Sequence, residues 1–532
     1  MNKKKLIGSY YTPKEIADFL TDYLSVKLKD SGPINILEPS AGDGIFIKSI
    51  YSNKKLSHRL KNVIAVEKEK GELAKIHNSI ENESLKLHNI DFLEYQKHNR
   101  QQFSIVIGNP PYIKKTYLKE TQIRICEQIH SAASLSDNKI KNVWTAFLVR
   151  SIKFLDTNGL LGFVLPSELL QVKFASELRD YLVKEFERIE IFTFNELLFS
   201  DSKGQDTLLL VGERKSKNKG VYYCNIDRIS DLKKGKHELV RNVSIKQSKW
   251  TYHHLTSDEI ELLEKIKKNF KNVAEYCTSK AGIVTAANEY FIVNEATVEE
   301  YSLKKFVYPI IKKGSFVNGK IVLSLKEFNQ LVRDSKPSYL LNFNRNINIQ
   351  NKRKVKKYLE LGKQLDIHKR YKTSIRKQWY KIPNIGGPPE AFFFKRCNEY
   401  PKFIKNNAGV LVTDSAYAVS MKEGFDIESL ISSFYNSLTL SFAELNGRYY
   451  GGGVLELTPN EFKGLPIPYV EIGKKGFRKF SKRFQDKNTI KEICKINDKV
   501  TLKMIDKDLN EDSLNKVFNI REKLHLRRIK SP

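Results

Sequence analysis

At 532 residues the chain is long enough for two or three domains of ordinary size, each with its own hydrophobic core. Its formal net charge is +31 at pH 7, with 92 lysine and arginine residues against 61 aspartate and glutamate residues. Such an excess attracts polyanions and favours counterion release on binding, so nucleic acid is the leading candidate partner. A lysine-rich solubilising surface would carry the same charge, and motifs have to decide between the two.

The cysteine and hydrophobic patterns indicate in which cellular compartment the protein is expected. The five cysteines show no CxxC or Cys/His spacing, which argues against a disulfide framework or zinc site and predicts no bound metal. No uninterrupted apolar stretch approaches the roughly 20 residues of a membrane span, and no apolar signal core follows the basic N-terminus. We therefore expect a cytoplasmic protein without membrane contact.

The first part of the chain alternates short apolar runs with amphipathic segments, up to about Arg214. The runs read INILEPS, NVIAVEKE, FSIVIGNPP, GLLGFVLP, RIEIFTF and DTLLLVGER. Apolar strands separated by helices are typical of βαβ units on a mostly parallel sheet with helices on both faces. Helices are predicted at Pro13 to Leu28, where Thr12 can cap, and at Val143 to Leu155. The pattern predicts an α/β first domain.

Beyond Lys215 the regular alternation stops, and short strands, aromatic residues and basic clusters predict a mixed α+β second domain. The cluster at Asn351 to Lys357 is explained equally well by a solvated helix face. The cluster at His368 to Lys381 interleaves its cations with Tyr371 and other aromatic residues, the mixture that serves phosphate contact and base stacking. The DNA-binding residues predicted from this second cluster are Lys369, Arg370, Arg376, Lys377 and Trp379.

The last segment, residues 476–532, is charged and predicted to be helical. Two alternatives stay open for it. It either packs as a C-terminal helical extension or contacts DNA, and its candidate cations are Arg521, Lys523, Arg527 and Arg528.

Three acidic or glycine-containing strand ends follow one another in the first domain. At Ile36 to Phe46 a strand runs into a turn where Gly42 lets the backbone approach a ligand, although a purely structural turn would look much the same. The next strand ends in Glu67, where a carboxylate can receive hydrogen bonds from a ribose. Asp91 then offers an acceptor for an adenine amino group, and Phe92 an apolar surface for its ring. Together they predict a site for an adenosine-containing cofactor.

The strongest motif is the tetrapeptide Asn109-Pro110-Pro111-Tyr112, which follows an apolar strand. An amino group conjugated to a heterocycle is a poor nucleophile, because its lone pair is delocalised into the ring. If the Asn109 side-chain oxygen and the Pro110 carbonyl accept its hydrogens, the nitrogen becomes more pyramidal and can attack a methyl donor in line. The prolines restrict φ and fix that carbonyl, while Tyr112 can stack on the target base. A structural strand-to-loop turn is the alternative reading.

In this order the motifs resemble those of the γ-type amino-methyltransferases typified by the TaqI enzyme, which are N6-adenine DNA methyltransferases of type II restriction-modification systems. The similarity covers GSYYTP (Gly8 to Pro13), EPSAGDGIF, Glu67, Asp91-Phe92 and NPPY. It implies a Rossmann-like catalytic domain that uses S-adenosylmethionine.

The resemblance also assigns further cofactor residues. It implies that Thr12 and Glu38 hold the methionine moiety of S-adenosylmethionine. It places Ser40 in the same cofactor site and Pro111 at the border of the cofactor pocket.

A second aromatic wall for the target base is expected near the end of the catalytic region. There NELLFSDSKGQDTLLLV looks like the segment that supplies this wall in the family, which makes Phe199 the expected partner of Tyr112. Phe192 and Phe194 lie close by in the sequence and are alternatives.

The segment Ala443 to Pro468 is similar to the closing part of target-recognition regions in related modification enzymes, and Pro401 to Val419 fits the same picture. This similarity implies a catalytic domain over residues 1–245, a target-recognition domain over 246–475 and a helical extension over 476–532.

The predicted function is methylation of an adenine that is flipped out of a specific double-stranded DNA sequence. A monomer is expected, with any cognate restriction endonuclease on a separate protein. Three alternatives are methylation of cytosine N4, methylation of a protein glutamine, and a non-catalytic DNA-binding specificity subunit. Asn at position 109, rather than Ser, favours adenine over cytosine.

Overall fold

A computed structural model describes most of the chain, and its contacts divide the residues into two units. The first unit comprises residues 1–257, 448–453 and 530–532, and the second comprises 258–447 and 454–529. The described residues are 11–29, 32–96, 102–137, 140–195, 198, 206–232, 235, 238–242, 249–344, 352–450, 453–486, 489–505 and 509–529. The predicted functional boundaries at residues 245 and 475 stay a prediction.

A nine-stranded sheet forms the centre of the first unit, in the order β3-β2-β1-β4-β5-β7-β6-β8-β9. Its strands are β1 (Ile34–Glu38), β2 (Leu60–Val66), β3 (Leu85–His88), β4 (Phe103–Gly108), β5 (Leu155–Pro166), β6 (Arg188–Phe194), β7 (Thr207–Glu213), β8 (Gly220–Ile226) and β9 (Val240–Asn242). The first five strands pair in parallel. Strand β7 runs antiparallel to both β5 and β6, so the sheet is mixed at this side.

Helices cover both faces of this sheet, which confirms the predicted α/β class. Phe103 and Val106 of β4 belong to one hydrophobic cluster, whereas Ile105 and Ile107 belong to another, as expected for a strand buried on both sides. The helices of the unit are α1 (Lys14–Lys27), α2 (Ile45–Ser52), α3 (Lys54–Ser57), α4 (Lys70–Ser79), α5 (Glu120–Ser131), α6 (Trp144–Phe154), α7 (Glu168–Gln171), α8 (Ser176–Glu185) and α9 (Ile229–Leu232).

Both helices predicted from the sequence are present, with small shifts at their ends. Helix α6 begins at Trp144, one residue later than predicted, and α1 begins at Lys14. The predicted cap of α1 is wrong, because Pro13 occupies the N-cap position and no side chain caps the helix. The Thr12 hydroxyl instead accepts a hydrogen bond from the Asn109 side chain at 3.1 Å.

The second unit is built from helices and short strands. Its helices are α10 (Ser257–Lys267), α11 (Val273–Tyr276), α12 (Asn288–Phe291), α13 (Glu295–Glu300), α14 (Leu325–Arg333), α15 (Arg353–Gln364), α16 (Tyr371–Ser374), α17 (Ile427–Phe434), α18 (Ser437–Asn446), α19 (Pro459–Lys463), α20 (Gly473–Gln485), α21 (Ile490–Ile505) and α22 (Glu511–Ile529). No helix in the described ranges is long and apolar enough to cross a membrane.

The remaining strands pair into several small sheets. They are β10 (Lys271–Asn272), β11 (Cys277–Ala281), β12 (Ile292–Val293), β13 (Val307–Ile311), β14 (Val322–Leu323), β15 (Tyr339–Leu341), β16 (Ala391–Phe394), β17 (Arg396–Cys397), β18 (Phe403–Asn406), β19 (Leu411–Val412), β20 (Ala416–Met421), β21 (Arg448–Tyr450), β22 (Val454–Glu456) and β23 (Pro466–Ile467). The largest sheet has the order β11-β20-β16-β18-β14 and mixes parallel with antiparallel pairs. This architecture matches the predicted α+β mixture.

A buried ion pair ties the C-terminal helix α22 to α18. The Arg528 guanidinium donates to both carboxylate oxygens of Glu444, at 2.7 and 2.8 Å, and His525 lies beside them. Arg521 is also buried, at 2% exposure. Of the two alternatives for the C-terminal segment, packing is therefore correct for Arg521 and Arg528, because neither side chain lies at the surface.

We expect Arg528→Ala to lower the free energy of unfolding by about 3–5 kcal/mol, because it leaves the Glu444 charge buried without its guanidinium partner. Chemical denaturation measures this loss. The matched control is Lys523→Ala on the same helix, where an exposed ion pair with Glu259 contributes no more than about 1 kcal/mol. Adding Glu444→Gln to Arg528→Ala should recover part of the stability. Equal unfolding free energies for Arg528→Ala and Lys523→Ala would contradict this account.

Candidate active site

A cavity of about 400 Å³ lies at the carboxyl ends of β1, β2 and β4. Because the carboxyl ends of parallel strands meet at one edge of a sheet, residues distant in sequence converge there. The predicted site residues that line this cavity are Ser40, Gly42, Glu67, Asp91, Phe92, Asn109 and Pro111. The structure thus brings together the glycine turn, the two acidic strand ends and part of the tetrapeptide.

The glycine turn is shaped by backbone conformations that favour glycine. Gly42 and Gly44 have φ values of +52° and +78°, in the left-handed region that other residues rarely adopt. A Cβ atom on Gly44 would also lie 2.8 Å from Cγ1 of Ile76. Helix α2 starts directly after this turn, so the turn leads the chain from β1 over the cavity and into the helix.

The carboxylate of Glu67 holds this turn in place. It accepts the Gly42 N–H at 2.9 Å through Oε2 and the Glu69 N–H at 2.9 Å through Oε1. A carboxylate oxygen has more than one lone pair, so each can accept a further hydrogen bond from a ribose hydroxyl. Glu67 is thereby oriented at the cavity before any ligand binds.

The third acidic strand end is also fixed by hydrogen bonds. Asp91 accepts the Leu93 N–H at 3.0 Å through one oxygen and the Gln122 side-chain amide at 2.9 Å through the other. Phe92 is buried next to it, and its ring lies 5.1 Å, between centroids, from that of Phe147. The result is an acceptor beside an aromatic surface.

Asn109 is positioned by two elements of the cofactor region. Its side-chain amide nitrogen donates to the Thr12 hydroxyl at 3.1 Å. The Ser40 hydroxyl donates to the Asn109 backbone oxygen at 3.0 Å. Thr12, Ser40 and Asn109 therefore form one connected group, and the glycine turn and the tetrapeptide share hydrogen bonds.

Glu38 lies at the end of β1 and is 1% exposed. Burial, together with the nearby carboxylates of Asp43 and Glu67, raises the pKa of Glu38 well above its usual range. Its Oε2 atom is buried and has no hydrogen-bond partner within the described residues. A buried polar atom of this kind is destabilising unless it is paired, and a ligand with a cationic hydrogen-bond donor would pair it. Glu38 itself is not among the residues that line the cavity, although its neighbours Pro39 and Ser40 are.

Of the two aromatic residues predicted to stack on the target base, the structure describes Tyr112 but not Phe199. Tyr112 is 8% exposed, and its hydroxyl donates to the Val164 backbone oxygen at 3.0 Å, so the ring packs in the core beside the cavity. Phe199 lies outside the described residues, and the stacking roles of both stay predictions. The alternative Phe192 is fully buried, with its ring edge-on to that of Tyr23 at 5.4 Å, and does not suit the role.

Several cavity residues were missed by the sequence analysis. Val143 and Phe147 lie four residues apart at the start of α6 and line the cavity, with Phe147 next to Phe92, while Gln122 reaches it from α5. The spacing of Val143 and Phe147 on a predicted helix was the available signal. It did not identify them, because any core-facing helix shows the same spacing.

The predicted DNA-binding residues fall into two groups. Lys369, Arg370 and Lys377 lie at the surface, although Lys369 pairs with Asp366 and Arg370 with Glu289. Arg376 and Trp379 are only partly exposed, and their contacts are internal. Arg376 donates to the Thr285 backbone oxygen at 2.9 Å, and the Trp379 ring lies 5.6 Å from that of Tyr290. Their DNA contact stays a prediction.

Comparison with known proteins places the chain in a family. Residues 21–199 match the family model described as Eco57I restriction-modification methylase, and residues 247–502 match that of the C-terminal domain of the type II methyltransferase M.Eco57I. The type II methyltransferase M.AccI of Acinetobacter calcoaceticus is 24% identical over 98% of this chain and 94% of its own length. The chain belongs to the type II restriction-modification methyltransferases. M.BanIII of Aneurinibacillus aneurinilyticus is similar at 23% identity, over 88% of this chain and 91% of its own.

Solved structures share the fold of this methyltransferase. The type IIL restriction-modification enzyme MmeI, determined in complex with DNA, superimposes with a TM-score of 0.61 at 11% identity. The alignment covers 100% of this chain and 78% of that protein. Every cavity residue from Ser40 to Phe147 lies inside the segment that matches the methylase family model.

For this methyltransferase we expect Glu67→Ala to weaken S-adenosylmethionine binding by about tenfold or more. The change would remove the predicted charge-assisted hydrogen bonds to the ribose, and it removes the carboxylate that holds the Gly42 turn. Isothermal titration calorimetry measures the affinity. Glu94→Gln, an exposed carboxylate near Asp91, serves as the control and should bind like the unmodified enzyme. Equal affinity for Glu67→Ala and this control would show that Glu67 does not contact the cofactor.

A second expectation concerns pH. Because the pKa of Glu38 is raised, the methyltransferase keeps this carboxyl neutral to higher pH than usual. A cationic methionine ammonium would favour the ionised form, so the affinity for S-adenosylmethionine should increase as the pH rises through that pKa. Calorimetry in buffers of different ionisation enthalpy should also detect proton release on binding. Glu38→Gln should abolish this release, and an unchanged release in Glu38→Gln would exclude Glu38 as its source.

Proposed function

We propose that the chain is a site-specific DNA methyltransferase that transfers a methyl group from S-adenosylmethionine to N6 of an adenine flipped out of double-stranded DNA. The observation that carries the proposal is the cavity at the ends of β1, β2 and β4. There Asn109 and Pro111 of the tetrapeptide lie beside Gly42, Glu67 and Asp91. The membership of the family supports the methyl transfer, and the charge of +31 supports a nucleic-acid substrate.

The cavity residues fit S-adenosylmethionine. The volume of about 400 Å³ lies in the usual range for small-molecule sites. Glu67 would bind the ribose hydroxyls and Asp91 the adenine amino group, with the ring against the apolar surface that Phe92 and Phe147 form. Thr12 and Glu38 would hold the methionine moiety, and the unpartnered Oε2 of Glu38 suits its ammonium group. When bound, the cofactor supplies an electrophilic methyl group on a sulfonium sulfur.

The tetrapeptide would activate the attacking amino group. The Asn109 side-chain oxygen and the Pro110 carbonyl would accept its two hydrogens, which directs the nitrogen lone pair toward the methyl group. Since the Asn109 amide nitrogen is already bound to Thr12, the amide is held in one orientation before the substrate arrives. This preorganisation avoids reorganisation at the moment of transfer.

The target base has to leave the duplex, because its amino group cannot reach a cavity inside the protein otherwise. Tyr112 and Phe199 would stack on the extruded adenine. The second unit would read the sequence and hold the DNA backbone. Residues 247–502 match the family model of the C-terminal domain of a type II methyltransferase, M.Eco57I. We propose a monomeric enzyme in the bacterial cytoplasm that protects DNA from a separate cognate restriction endonuclease.

The proposal is tested with labelled S-adenosylmethionine, incubated with the enzyme and with DNA, RNA or protein, followed by hydrolysis of the product to nucleosides or amino acids. We expect label in N6-methyladenine from double-stranded DNA. Label in N4-methylcytosine would show that the enzyme methylates cytosine rather than adenine. Label found only in protein would show that DNA is not its substrate. Methylation-sensitive sequencing of DNA from a host that expresses the protein then identifies the recognised sequence.

We expect Asn109→Ala to lower kcat at least about 100-fold, because one of the two acceptors for the amino hydrogens is lost. Binding of S-adenosylmethionine should stay close to that of the unmodified enzyme. Asn109→Asp keeps a side-chain acceptor and should retain more activity than Asn109→Ala. Asn158→Ala, at an exposed position, is the control. Near-normal kcat in Asn109→Ala would show that the tetrapeptide does not act as this clamp.

A further inference from the structure

Two neighbouring apolar side chains of the second unit extend into solvent. Tyr371 is 80% exposed and Ile375 is 71% exposed, the highest values for large apolar side chains among the described residues. They are four residues apart in the sequence. Helix α16 spans Tyr371–Ser374, and Ile375 continues it with helical backbone angles. Residues four apart lie on the same side of a helix, so the two side chains form one ridge.

The turn that carries this ridge is fixed by hydrogen bonds at Thr373 and Arg376. Thr373, between the two exposed residues, is fully buried, and its hydroxyl donates to the Arg370 backbone oxygen at 2.9 Å. Arg376 donates to the Thr285 backbone oxygen at 2.9 Å and anchors the turn from its other end. A side chain presented by such an anchored turn loses little conformational freedom on binding.

Trp379 contributes to this anchoring, and the DNA contact predicted for it stays a prediction. Its ring packs near Tyr290, at 5.6 Å, and lies against Gly362 of α15. A Cβ atom on Gly362 would come within 2.3 Å of the Trp379 ring. Tyr380 is likewise only partly exposed, so the most exposed aromatic residue of this cluster is Tyr371, near the aliphatic Ile375.

The positive charge around the ridge indicates which kind of partner it would bind. Residues 352–381 contain twelve lysine or arginine residues and two acidic ones. Next to the ridge, Lys372 and Lys377 are exposed. This charge attracts a polyanion. In double-stranded DNA an apolar ridge can contact thymine methyl groups or enter the stack of bases, and insertion of apolar side chains between base steps is an established way to kink a duplex.

We propose that Tyr371 and Ile375 form a wedge that inserts between stacked base pairs of the recognised DNA, while the adjacent lysines contact its phosphates. This inference rests on the proposed function, since it assumes a duplex substrate. Unstacking at the wedge would lower the free energy needed to extrude the target base. The wedge would therefore contribute to the transfer step as well as to binding.

The test uses the full-length enzyme and duplexes that carry the recognised sequence, with 2-aminopurine placed in turn at each step within and next to it. In the unmodified enzyme we expect fluorescence to rise at one step besides the target adenine. Tyr371→Ala combined with Ile375→Ala should abolish this second signal and lower DNA affinity about tenfold, the scale expected when a stacking aromatic side chain is lost. Tyr371→Phe should retain the signal, because stacking needs no hydroxyl.

Two control variants separate the wedge from a general surface effect. Leu365→Ala removes a nearby side chain that is 55% exposed and should change neither signal nor affinity. Lys377→Ala should weaken binding and reduce the salt dependence of the affinity, whereas the wedge variants should leave that salt dependence unchanged. The double variant should also extrude the target base less readily, and an abasic site at the wedge step should restore that extrusion, because the duplex is then already unstacked. All these positions are exposed, and thermal unfolding should be unaltered.

Three outcomes would overturn the wedge. They are a double variant that behaves like Leu365→Ala, the absence of a second unstacked step in the unmodified enzyme, and no rescue by the abasic duplex. Failure of the proposed function gives a different result, because the unmodified enzyme would then neither methylate nor extrude an adenine in any of these duplexes.

Discussion

Strands β1, β2 and β4 lie side by side in parallel, and Leu37 of β1 is paired with Ile64 on one side and Val106 on the other. This register fixes the height at which each strand ends, so the glycine turn, Glu67 and the tetrapeptide emerge at the same edge of the sheet. The cavity exists because these ends converge. The hydrogen bonds of Glu67 to Gly42 and of Ser40 to Asn109 then join the loops that leave the strands.

The part of the site that could be predicted from the sequence depends on local chemistry. An apolar strand that ends in an acidic residue or in NPPY is visible in the letters, and its position at the sheet edge follows from the fold class. Thr12 shows where this reasoning stops. Its place before a helical segment suggested a cap, but its partner is Asn109, 97 residues further along the chain. Phe147 was missed for the same reason, because its role depends on its contact with Phe92, which is distant in the sequence.

The basic cluster of the second unit illustrates a related limit. Composition indicates that residues 368–381 combine cations with aromatic rings, but it does not show which side chains point outward. Contacts with Thr285 and Gly362 draw Arg376 and Trp379 inward, and those contacts come from elsewhere in the chain. The direction of individual strands could not be predicted from the sequence for a similar reason. Strand β7 runs antiparallel to its neighbours but is as apolar as the parallel strands of the sheet, and a strand buried on both faces has the same pattern whichever way it runs.

The double use of Glu67 constrains how this enzyme could change. The carboxylate anchors the backbone of the glycine turn and also faces the cavity where a ribose would bind. A substitution that alters the preference for the sugar would therefore also loosen the loop between β1 and its following helix. Adaptation to a modified cofactor is easier at positions such as Phe147 or Val143, which line the cavity but do not hold the glycine turn. The same side chain thus links ligand choice to local rigidity, and selection on one property acts on the other.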